Sequence, residues 1–264
     1  MQMSTDGLVT RVVNTGDHDK VLQILTAEHG RISVMVKGGK SLKNPAMACS
    51  QLFTYGNFEL YRKGDFYWLR QGSVLNAFYE LSADIVRMSL GVYLCDVANE
   101  LSDRDEPAEE LLRMLLNSLY LIGREKKPQE LVKGVFELRA ASLMGYCPDL
   151  TGCSVCGERY PELSYFDIMN GRLVCADCQT KRNRLSDVRQ VEEALGERSV
   201  ICPMTSSVLA ALRFILSAPD KKIFSFSMKD TEEEHALDRV TETFLLNHME
   251  RDFDTLHFYR SVAD

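Results

Sequence analysis

From residue 8 to residue 74 the chain alternates apolar and polar positions in five short runs, at 8–13, 21–25, 32–36, 52–61 and 66–74. β-Branched, leucine and aromatic side chains dominate these runs, as in strands that keep one face in a core. Turn-forming residues separate them at Asn14-Thr15-Gly16-Asp17, Glu28-His29-Gly30 and Lys63-Gly64-Asp65. An open sheet of such strands would leave two unprotected edges, whereas closure leaves none. The spacing therefore predicts a small five-stranded barrel of the OB type.

Past Glu80 the apolar period lengthens to that of helices. Ile85, Met88, Leu90, Val92, Leu94, Val97 and Leu101 supply the apolar side of a first helix. Pro107 opens a second, striped by Leu111, Leu112, Leu115, Leu116 and Leu119, and Pro128 opens a third with Leu131, Val135, Phe136, Leu138 and Leu143. Proline suits a first helical turn, where its missing N–H costs nothing. After a cysteine-rich stretch the helical pattern returns at 207–216 and at 232–249, where Glu232-Glu233-Glu234 reads as an acidic helix start facing the positive dipole end. Each helix has a single apolar face and needs the others to cover it. The expected fold is α+β: an OB-like barrel domain over 1–80, then a helical domain over 81–264 with a small zinc ribbon inserted at 150–180.

Composition narrows the functional classes. No run approaches the roughly 18 apolar residues that a membrane span requires. The opening Met1-Gln2-Met3-Ser4-Thr5-Asp6 lacks the basic and apolar regions of a secretory signal, so a soluble, cytoplasmic protein is expected. The net charge of −7 argues against a uniformly basic surface, but its distribution is uneven. Residues 1–79 hold nine Lys/Arg against six Asp/Glu, whereas residues 191–264 hold eight against fourteen.

Eight cysteines in a reducing compartment are not expected to pair as disulfides. Four are scattered, at Cys49, Cys95, Cys147 and Cys202. The others form two C-x-x-C pairs, Cys153/Cys156 and Cys175/Cys178, with 18 residues between the pairs. Each pair can grip two corners of a tetrahedron, so together they predict one structural zinc ion. Between them, residues 163–167 and 172–174 read as a hairpin turned at Met169-Asn170-Gly171. Two other readings compete: four buried reduced cysteines, and a catalytic zinc of the deaminase kind, which Cys156-Gly157-Glu158 and the second pair partly imitate. Against the latter, Val174 stands where that pattern has proline, and Cys153 would fill the position a catalytic zinc leaves open for water.

Arg31, Lys37, Lys40 and Lys43 cluster around Gly38-Gly39, and Arg11 and Lys20 extend the cationic set, with Arg62, Lys63 and Arg70 nearby. Cations at such density, beside glycines that let another backbone approach, suit DNA phosphates. The competing reading is a solvated basic loop. Tyr55, Tyr61, Tyr67 and Trp68 can stack on bases, but a barrel this small needs large side chains for its interior, so packing is the first reading for each. The five histidines show no metal-ligand or catalytic pairing pattern with one another or with carboxylates. The sequence contains neither a Gly-x-Ser-x-Gly elbow nor a phosphate-binding Gly-x-x-x-x-Gly-Lys-Ser/Thr loop. An enzyme is not expected.

The stretch from Gly7-Leu8-Val9-Thr10-Arg11-Val12 through His29-Gly30-Arg31-Ile32 to Val36-Lys37-Gly38-Gly39, followed by helices and the four-cysteine element, resembles the RecO family over the whole chain. The resemblance implies binding of single- and double-stranded DNA and annealing of complementary strands. It also implies partnership with RecR and the single-strand-binding protein SSB in loading RecA. It makes the C-terminal helices the expected dock for the acidic, apolar SSB tail, with Arg213, Lys221 and Lys222 as its cations; the competing reading gives Phe214, Ile215 and Leu216 to the bundle core alone. The alternative of a different class is a zinc-ribbon adaptor for protein interactions that does not bind DNA.

Overall fold

The computed structural model describes residues 2–41, 43–64, 66–186 and 200–263. The chain divides into two compact units, one of Met1–Gln129 with Phe253–Asp264, the other of Glu130–Asp252.

In the first unit β1 (Gln2–Thr15), β2 (Asp19–Thr26), β3 (Gly30–Val36), β4 (Thr54–Lys63) and β5 (Phe66–Ala77) close into a barrel in the order β1-β2-β3-β5-β4. The five strands are those the alternating pattern predicts; of the predicted turn residues, Asp65 lies outside the described ones. Only β3 and β5 pair in parallel, through Val34 with Tyr67 and Met35 with Trp68. Val9, Leu22, Ile24, Ile32, Val34, Val36, Phe58, Leu60 and Tyr67 fill the interior. Each aliphatic or phenylalanine side chain among them contributes about 1.5–3 kcal/mol by leaving water.

Helix α1 (Ile85–Leu101) starts where the Asp84 carboxylate accepts from the Arg87 N–H at 2.9 Å. It is tied to β1 by the Thr10 hydroxyl, which donates to Asn99 Oδ1 at 2.6 Å, and by an ion pair between Arg11 and Asp96. Helix α2 (Glu109–Gly123) follows, with Leu111, Leu112, Leu115 and Leu119 buried. The last helix, α7 (Asp254–Ala263), returns to this unit. Phe253, just before it, meets Tyr93 of α1 edge-on at 5.7 Å.

The second unit opens with α3 (Gln129–Leu143). A four-stranded sheet follows in the order β6 (Asp149–Cys153), β8 (Arg172–Cys175), β7 (Leu163–Asp167), β9 (Ile201–Thr205). β7 and β8 form the hairpin expected around Asn170-Gly171. α4 (Ala176–Ser186) follows β8, and α5 (Ser206–Ser217) follows β9. α6 (Thr231–Met249) is capped by the Asp230 carboxylate, which accepts from Glu233 N–H at 3.0 Å, with Glu232, Glu233 and Glu234 in its first turn. Phe166 of β7 packs on Phe244 of α6 at 5.3 Å. α3 and α6 also share a buried polar knot, in which the Lys133 ammonium, 1% exposed, lies 2.9 Å from Glu137, 2.9 Å from Asp238 and 2.7 Å from Glu242. Among the described residues no helix is long and apolar enough to cross a membrane.

Candidate functional site

The four paired cysteines converge. Cys153 ends β6, Cys156 lies in the turn beyond it, Cys175 ends β8, and Cys178 sits in the first turn of α4. The turn closes because Gly157, at φ +79, donates its N–H to the Cys153 carbonyl at 2.8 Å. Ser154 N–H donates to the Leu173 carbonyl at 2.8 Å, which fixes the turn against β8. All four sulfurs lie within 4.8 Å of one another, and those of Cys156 and Cys175 are 3.7 Å apart. A tetrahedron with metal–sulfur bonds of about 2.3 Å has edges of about 3.8 Å, so the donor set fits a closed tetrahedral ion.

The neighbouring groups act differently on the individual sulfurs. Burial raises the Cys153 thiol, but N–H groups of Cys175, Cys156 and Val155 aimed at its sulfur outweigh this and hold it down at about 6. Cys178 is pushed up to about 12, first by its hydrogen bond to Cys175 and then by burial and the other sulfurs. Cys175 is raised as well, by burial above all. One thiolate is accommodated by the backbone. Further negative charge among sulfurs this close requires a cation between them.

On the barrel the structure gathers four of the six candidate cations. Lys20 pairs across the sheet with Val36, and Lys37 follows Val36 directly. The chain beyond Lys37 folds back over the β1–β2 turn. Gly38 N–H donates to Asp19 Oδ1 at 2.7 Å, Lys40 N–H to the His18 carbonyl at 3.0 Å, and Lys40 Nζ to the Gly16 carbonyl at 2.7 Å. Asn44 Nδ2 closes the loop on the Lys37 carbonyl at 2.8 Å, with Lys43 exposed beside it. Arg11 and Arg31 stand apart from these lysines. Arg11 is paired with Asp96, and Arg31 lies six residues before Lys37 on β3, roughly 20 Å away at a strand's rise.

Of the aromatic candidates, Tyr67 belongs to the barrel core, while Tyr61 and Trp68 lie on its outer face. Their rings stack at 6.5 Å with 22° between the planes, and Lys63 Nζ sits 5.7 Å from the Trp68 ring. Trp68 is the cross-strand partner of Met35, two residues before Lys37, so the ring pair adjoins the lysine loop.

Residues 1–78 match the family described as Recombination protein O N terminal, and residues 82–191 match Recombination protein O C terminal. The chain belongs to the RecO family. A DNA repair protein RecO of Acetivibrio thermocellus is 27% identical over 261 residues, which cover 98% of this chain and 97% of the relative. A protein of the same name from Symbiobacterium thermophilum is 30% identical over 178 residues, covering 66% of this chain and 70% of the relative. One from Bacillus pumilus is 27% identical over 181 residues, covering 69% and 70%.

In this RecO-family chain the candidate partner-binding cations divide. Arg213 of α5 donates Nε to the Leu150 carbonyl at 2.7 Å and Nη2 to the carbonyls of Arg159, at 2.7 Å, and Thr151, at 3.3 Å. Its guanidinium also lies 5.5 Å from the exposed Tyr160 ring. Lys221 and Lys222 are exposed in the short turn after α5. Nearby Ile215 is buried, and Phe214 meets Phe226 edge-on at 5.3 Å. The carbonyl-gripping role of Arg213 carried no signal in the sequence, because its partners belong to segments more than 50 residues away.

Proposed function

We propose that the protein is a non-catalytic mediator of recombinational DNA repair. The barrel domain, residues 1–80, binds single- and double-stranded DNA and holds one strand for annealing to its complement. Together with RecR it assists RecA loading on SSB-coated DNA in the cytoplasm, at the nucleoid. The observation that carries this reading is the adjacency, at one end of the barrel, of the Lys20/Lys37/Lys40/Lys43 cluster and the Tyr61–Trp68 stack on the barrel's outside. Lysines supply sequence-independent attraction to phosphates, and rings accept bases of any identity, which is what annealing of unrelated sequences requires. Arg11 and Arg31, set apart from that cluster, are left to extend the contact along the barrel. One zinc ion held by Cys153, Cys156, Cys175 and Cys178 is structural in this reading, since four protein ligands leave no position for water.

The SSB tail, apolar and ending in a carboxylate, would dock on the second unit near Lys221 and Lys222. Arg213 contributes mainly through the carbonyls it already holds.

The reading is tested by strand annealing on SSB-coated DNA, with and without RecR, alongside binding measured across salt concentrations. Lys37→Ala/Lys43→Ala should weaken binding equally for unrelated sequences and lower the salt slope by roughly one unit per lost phosphate contact. Trp68→Ala should cost about 1–3 kcal/mol on single strands and leave duplex binding nearly unchanged. Absence of annealing, with wild-type affinity and slope in the lysine variant, would favour the adaptor reading.

A further inference from the structure

The barrel unit is electrically two-ended. The lysine cluster stands at the β1–β2 turn. Near the β2–β3 turn, by contrast, stand Glu28 and the segment 103–110, in which Asp103, Asp105, Glu106, Glu109 and Glu110 outnumber the single cation Arg104. That segment is pinned in place. Arg31 N–H donates to the Asp103 carbonyl at 3.3 Å, Asp105 N–H to His29 at 3.0 Å, and Ala108 N–H to Ala27 at 2.8 Å.

Between this rim and α2 runs an open groove of about 670 Å³. Leu112 and Leu116, one helical turn apart on α2, line it with Ala27 and the Tyr55 ring from β4. Glu28 stands on the barrel wall and Glu109 on the helix wall. Both carboxylates are well exposed, and Glu109 is drawn to Arg113 of the same helix at 3.5 Å. The Tyr55 phenol is raised by burial first and by the Asp6 carboxylate of β1 second.

We propose that this groove docks a cationic amphipathic segment of a partner protein, with apolar side chains against Leu112, Leu116 and Tyr55 and Lys or Arg side chains at Glu28 and Glu109. The volume falls within the roughly 300–1,000 Å³ of clefts that enclose small ligands, room for a few anchoring side chains. An apolar floor along a helix, crossed by opposed charges, suits a partner helix with anchors spaced at i, i+3 or i+4, and i+7. Charge decides among occupants. A phosphate backbone or an acidic peptide would meet Glu28 and Glu109, with Arg113 the one cation in the lining, whereas a basic segment is complementary to the two carboxylates and to the acidic rim beside them and is repelled by the lysine end. The groove and the DNA face occupy different ends of the barrel, so the segment and DNA bind together.

The test uses the full-length protein and a fluorescent helical peptide with leucines at i, i+3, i+4 and i+7 and lysines elsewhere. Glu28→Lys/Glu109→Lys should weaken binding about tenfold or more, while Glu162→Lys/Glu232→Lys, which changes net charge equally but lies elsewhere, should change it less than about twofold. A peptide with serines in place of the leucines should lose at least as much. Both reversals act on exposed side chains, and circular dichroism checks that each variant is folded. As a second measurement, Asn117→Cys carrying a benzophenone at the groove's rim should cross-link the peptide with an oligonucleotide already bound. Equal losses in the two charge variants, undiminished binding of the serine peptide, or no cross-link would each overturn the proposal.

Discussion

Gly30 lies so close beneath Asp103 that a β-carbon there would stand 2.1 Å from the Asp103 carbonyl oxygen and 2.5 Å from that of Glu106. The residue is also left-handed, at φ +58. It is where the barrel's β2–β3 turn receives the segment leading into α2, so sterics and backbone conformation both require glycine. Gly30→Ala should therefore cost roughly 3 kcal/mol or more, since the left-handed strain of about 1–2 kcal/mol adds to a clash with backbone that cannot rotate away. Gly16→Ala is the matched control. Its φ is +51 but no atom lies within 4 Å of the added carbon, so only the strain remains. Urea unfolding midpoints should separate the two variants clearly.

A second prediction concerns Lys133. Burial opposes its charge most strongly, but Glu137 and Asp238 together outweigh burial and raise the ammonium above the usual 10.5. A raised folded value means the stabilisation is complete below the unfolded value and is lost as pH rises through the folded one. The variant Lys133→Met should lose about 3–5 kcal/mol at neutral pH, because it leaves buried carboxylates without this partner. The gap between wild type and variant should stay constant from pH 7 to pH 9 and narrow only in the alkaline range above the ordinary lysine value. A gap that closes on approaching neutrality would assign the stabilisation to another group.

The sulfur cluster predicts one metal ion per chain, removable by chelators. Cys175→Ser should abolish high-affinity binding, because a four-sulfur site can supply on the order of 10 kcal/mol of apparent folding free energy. The damage should fall on β6, β7, β8 and α4, and hydrogen exchange should show their amides exposed while those of the barrel strands keep wild-type protection. Metal analysis finding no zinc in protein purified without chelator would refute the assignment.

The barrel, the three helices after it and the cysteine ribbon were legible because their signals are local. Period-two runs, leucine stripes and paired cysteines need no knowledge of distant partners. What was not legible depended on distant partners. α7 buries only Leu256 and Tyr259 among its ten residues, and it belongs with α1 across some 150 residues of chain. β9 carries Pro203 and acquires its strand character from pairing with β7. Lys133, between Val132 and Gly134, looks in sequence like a solvated helix position, and only α6 shows that it is buried. The cation cluster around Gly38 was visible in composition, but the separation of Arg11 and Arg31 from it followed from register and from Asp96.

The last prediction separates Arg213 from its neighbouring lysines. The guanidinium spans three carbonyls, of Leu150, Thr151 and Arg159, so it fastens both sides of the first cysteine pair to α5. A planar fork with several fixed donors does this where a single ammonium cannot. Arg213→Lys and Arg213→Ala should therefore both destabilise the second unit, with alanine leaving three carbonyls short of a donor at roughly 1–3 kcal/mol in total. Lys221→Glu/Lys222→Glu changes exposed side chains after α5 and should leave thermal stability within about 0.5 kcal/mol. Binding of a fluorescent SSB tail peptide should show the opposite order: a marked loss in the lysine double variant, and only a modest one in Arg213→Lys measured where that protein is fully folded. If Arg213→Lys lost tail binding completely with its melting unchanged, the arginine would be a direct anchor for the tail and its carbonyl contacts incidental. If neither variant affected the peptide, the tail site would lie away from the turn after α5.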